Sequence, residues 1–78
     1  MSQKIKLAKK VWATKLPQDA ASSADYFLWR EIDGSNMIVG HFFYYELENR
    51  WELDSGGSTY KGNSLSEVAQ QYIEQLGK

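Results

Sequence analysis

The side chain best suited to proton transfer is His41, the sole histidine of this 78-residue chain. Imidazole is the group whose ordinary pKa lies nearest neutrality. A catalytic histidine needs an acid to orient it and a nucleophile to activate. Serines stand at Ser2, Ser22, Ser23, Ser35, Ser55, Ser58, Ser64 and Ser66, and none lies in a G-x-S-x-G setting. The acid pairs Glu46/Glu48 and Glu52/Asp54 fall in or beside a turn signal, where a solvated acidic rim is expected. Ser55-Gly56-Gly57-Ser58-Thr59 lacks the lysine and the spacing of a phosphate-binding loop and reads as a turn. The chain has no cysteine, which excludes disulfides and, with one histidine, argues against a structural zinc site. The expectation is a non-enzymatic protein with no cofactor and no metal, in which His41 packs among aromatics.

Two other groups of residues could bind rather than react. Residues 1–16 carry five lysines, Lys4, Lys6, Lys9, Lys10 and Lys15, and no acid, while the remaining residues hold ten acids against four bases. Such asymmetry marks either a polyanion-binding arm or a basic strand lying against an acidic body. The second group is aromatic: three Trp, five Tyr and three Phe. Each buries roughly 150–250 Å², enough for a small domain without staples to build a core.

The elements that must position these groups can be read from periodicity. Leu65, Val68, Ala69, Tyr72, Ile73 and Leu76 recur at helical spacing and predict a helix over 65–76. Ser64 and Glu67 form a capping box at its start, and Gly77 suits a left-handed close. Residues 26–32, 37–46 and 50–54 are strand-like, separated by Asp33-Gly34-Ser35-Asn36 and by a short polar turn at Glu48-Asn49. Residues 59–61 can add a short strand, and 10–16 read better as strand than helix. Residues 17–25 read as a loop and residues 1–9 as a mobile basic segment. The fold class expected is α+β: a single two-layer domain in which an antiparallel meander of three or four strands carries one C-terminal helix on one face.

Alternation then sorts the strands. The helix-facing set is Phe27, Trp29, Ile38, Gly40, Phe42, Tyr44, Trp51 and Leu53. The opposite face collects Tyr26, Leu28, Ile32, Met37, Val39, His41, Phe43 and Tyr45, beside a polar third strand of Arg50, Glu52 and Asp54. The N-terminal segment could cover this second apolar face, and a one-residue change of register would redistribute it. Left uncovered, it marks an interaction site. The expected function is therefore a small protein-interaction module binding a protein partner or itself through Tyr26, Leu28, Val39, His41, Phe43 and Tyr45. The alternative is a nucleic-acid-binding domain using Lys4, Lys6, Lys9 and Lys10 with sheet aromatics. The overall pI near 5.7 weighs against that alternative. No apolar run reaches the ~18 residues a membrane helix needs, and no signal-peptide core is visible. The expected location is the cytoplasm.

Overall fold

A computed structural model describes residues 4–16 and 24–77. The described residues form six strands and one α-helix: β1 (Lys4–Ala8), β2 (Val11–Lys15), β3 (Tyr26–Ile32), β4 (Ser35–Tyr45), β5 (Arg50–Ser55), β6 (Ser58–Gly62) and α1 (Leu65–Leu76). The strands lie in chain order in one antiparallel sheet. The α+β class is as the sequence predicts, but there are six strands rather than three or four. One additional strand is β1, whose Ile5 and Leu7 alternate with lysines; it pairs with β2. Most of the expected loop at 17–25 lies outside the described residues.

Short turns make the meander possible. Asp33-Gly34 and Gly56-Gly57 both place two consecutive residues at positive φ, the backbone that two-residue hairpins require. A single 3-10 turn, Glu46–Glu48, ends on left-handed Asn49 and leads into β5.

One irregularity decides which side chains face the helix. Near the turn, Ile32 pairs with Ser35 and Trp29 with Ile38; beyond it, Leu28 pairs with Gly40 and Tyr26 with Phe42. Val39 is thus an extra residue in β4, a β-bulge. Its carbonyl accepts a 2.6 Å hydrogen bond from the Ser55 hydroxyl. The bulge corrects the expected faces. Leu28 turns to the helix side with Gly40 and Phe42, and Trp29 turns away with Ile38. Gly40 is required at this point: a Cβ there would lie 3.0 Å from the Asp54 carbonyl oxygen and 3.0 Å from Leu53 Cδ1.

The core lies between the sheet and α1. Leu28, Phe42, Leu53 and Val68 are fully buried, joined by Val11, Ala13, Ala69 and Tyr72. The helix touches β5 and β6 and also β1, at the far end of the sheet. The sheet therefore curls around the helix, concave towards it and convex on the other side. Gln71 fastens the helix to β6 by donating to the Lys61 carbonyl at 2.8 Å. At the N-terminus Ser64 Oγ accepts from the Glu67 amide at 3.1 Å. Glu67 returns to the amide of Asn63, at 2.7 Å, one residue earlier than in a standard capping box. Gly77 closes the helix at φ −82°, not in the left-handed region expected for it. No helix among the described residues is long and apolar enough to cross a membrane.

Candidate functional site

The convex face of the sheet carries the side chains that the core does not use. Cross-strand neighbours share a face, so the register defines its rows. One row crosses all six strands: Lys4, Thr14, Phe27, His41, Asp54 and Thr59. A second runs Lys6, Trp12, Trp29 and Ile38. A third joins Phe43, Glu52 and Lys61, and Tyr45 stands opposite Arg50. The centre is aromatic and the flanks are charged.

These side chains hold one another in place. The rings of Trp12 and Trp29 are parallel, 6.2 Å between centroids. Trp29 Nε1 donates to Thr14 Oγ1 at 2.8 Å, which fixes the orientation of the indole. The Lys4 ammonium lies 4.3 Å from the centre of the Trp12 ring, within cation–π range. Trp12 is therefore covered by a cation on one side and stacked with an indole. His41 meets Phe27 edge-on at 5.4 Å. On the other flank Arg50 bridges Glu48 (2.8 Å) and Glu52 (2.7 Å) and lies 5.2 Å from the Tyr45 ring. Trp12, Phe27, Trp29, His41 and Phe43 are half-buried and Tyr45 is exposed.

Only part of the expected contact set lies here. His41, Phe43 and Tyr45 are on the convex face. Leu28 is not: it is fully buried beneath the helix and cannot touch a partner. Tyr26 pairs with Phe42, packs against the core and meets Trp51 at 5.8 Å, so it belongs to the helix side. Val39 is the bulge residue and packs against the core. In their place the face gains Trp12, Phe27 and Trp29, which alternation without a bulge had assigned elsewhere or left unplaced. The sequence signal for this was Gly40 within an otherwise aromatic strand, a mark of bulges and close backbone approach.

The lysines are split between the face and its edge. Lys4 and Lys6 point from β1 onto the convex face, while Lys9 and Lys10 form the β1–β2 turn. Lys4, Lys6 and Lys10 line a shallow trough with Trp12, Glu31 and Asn36. Among the described residues no group of three or more His, Cys, Asp or Glu side chains could hold a metal ion. No protein-family model matches the chain, and neither a curated protein nor a solved structure does.

Proposed function

We propose that this chain is a non-enzymatic interaction module that binds a protein, or a second copy of itself, through the convex sheet face. The observation that carries the reading is the aromatic centre of Trp12, Trp29, Phe27, His41 and Phe43, on the side of the sheet away from the helix. Water-facing sheet faces ordinarily read polar. An aromatic centre with a charged rim is the composition of protein interfaces, and the Trp pair has the character of a binding hot spot. The cytoplasm is the location proposed, with which a cysteine-free chain is compatible.

Geometry favours protein over nucleic acid at this centre. Base stacking needs a free aromatic face, and one side of Trp12 is taken by the Lys4 ammonium. The rim is also mixed in sign, with Glu52 and Asp54 opposite the lysines.

The test uses tagged wild-type protein, the Phe43→Ser variant and a Lys4→Ala/Lys6→Ala variant. It combines sedimentation for self-association with affinity capture from an extract of the source cell. The expected result is one saturable complex formed by the wild type and by the lysine variant and lost in Phe43→Ser. Binding that survives Phe43→Ser, fails in the lysine variant and collapses with added salt would instead point to nucleic acid.

A further inference from the structure

The turn between β1 and β2 ends on a strained lysine. Lys10 has φ 64°, and the other described non-glycine residues at positive φ are Asp33 and Asn49. Short polar side chains tolerate that region, whereas lysine gains nothing from it; glycine would be relaxed there. The turn is pinned nevertheless, because the Lys10 carbonyl accepts from the Glu31 amide at 2.9 Å. Strained backbone of this kind gathers at binding sites.

Lys10 here borders the trough over β2, about 350 Å³ in volume, beside Lys4, Lys6, Trp12, Glu31 and Asn36. Lys4 is held in place over Trp12. Lys10 is 3.9 Å from Glu31. Lys6 has no ion pair among the described residues. Three lysines thus border one concavity with a single acidic residue, an excess of two positive charges along its rim.

We propose that this trough binds an oxyanion of the phosphate class carrying at least two negative charges. Lys4, Lys6 and Lys10 would act as point charges on its oxygens, and the Asn36 amide would be a further donor. The trough shares Trp12 with the aromatic centre, but the proposal does not rest on the protein-partner reading, because its ligand contacts are the lysines of the basic flank. The same chemistry has two sources, a free polyphosphate or the backbone of a single-stranded nucleic acid.

The experiment is an amide and indole NMR titration of the full chain in low salt, with tripolyphosphate in one arm and a short oligothymidylate in the other. Saturable shifts at Lys6, Lys10 and the Trp12 indole are expected. Tripolyphosphate acting alone assigns a free polyphosphate, and the oligothymidylate, alone or in addition, assigns a nucleic-acid backbone. Lys6→Glu should weaken binding about tenfold or more, the scale of a charge-assisted contact. Lys61→Ala, at the far end of the sheet, should leave it unchanged. Lys10→Gly should raise the urea midpoint while weakening binding, a pair of opposite effects that a purely structural turn lysine would not give. The proposal is overturned if neither ligand shifts these groups, if Lys6→Glu binds as well as the wild type, or if Lys61→Ala weakens binding equally.

Discussion

Gly40 shows how one residue governs which surface the protein presents. It stands opposite Leu28 beside the Val39 bulge, and its Cα hydrogen points to where a methyl group would press on the Asp54 carbonyl and on Leu53. Gly40→Ala should therefore destabilise by about 1–3 kcal/mol, the range for overpacking a tight site, even though alanine is ordinarily the better residue in regular structure. Equilibrium urea unfolding measures this, and a neutral or stabilising change would mean that β4 yields more easily than its contacts imply. Asp25 acts at the same scale. Its amide donates to the Phe42 carbonyl at 2.8 Å and its carboxylate accepts from the Tyr44 amide at 2.6 Å. One side chain thus extends the β3–β4 ladder past the last paired residue, a contact that alternation cannot reveal.

At the scale of elements, legibility followed the strength of the local pattern. The helix was readable to its boundaries because its apolar stripe and Ser64 cap are local features. Its cap holds a prediction: Ser64→Ala should cost about 1 kcal/mol, within roughly 0.5–2, seen as a lower urea midpoint. Glu67→Ala should cost less, since the bond it removes, to the Asn63 amide, lies at an exposed site. A larger loss for Glu67 than for Ser64 would make the bond from the Asn63 amide to Glu67 the main anchor of the helix. The strand pairing from β4 to β5 was also readable, with Trp51 and Leu53 facing the helix side beside Tyr44 and Phe42. Pairing of β3 with β4 was not. Closing the hairpin at Asp33-Gly34 rather than over four residues shifts the register by an even number and leaves the faces unchanged. The bulge then adds one residue and exchanges them, because side chains alternate with period two. Half of the expected contact residues, Tyr26, Leu28 and Val39, lost their place for that reason. β1 was missed because lysines at alternate positions resemble a solvated arm until a partner strand is in view.

For the molecule as a whole, the sheet has a concave face that holds the buried core and a convex face whose side chains lie outside that core. Every fully buried large side chain lies on the first or on the helix, whereas the aromatic centre of the second is only half-buried. A polar substitution at the centre of the convex face should then be tolerated, while truncation on the concave face should not. The comparison that tests this most directly is urea unfolding of Phe43→Ser beside Leu28→Ala. Leu28→Ala removes a fully buried side chain and should lose about 2–5 kcal/mol, a large part of the stability of so small a domain. Phe43→Ser should lose less than about 1 kcal/mol, as expected of a side chain that no described element of the fold covers. If Phe43→Ser instead loses as much as Leu28→Ala, the convex face is part of the core, and the case for a binding surface there is contradicted.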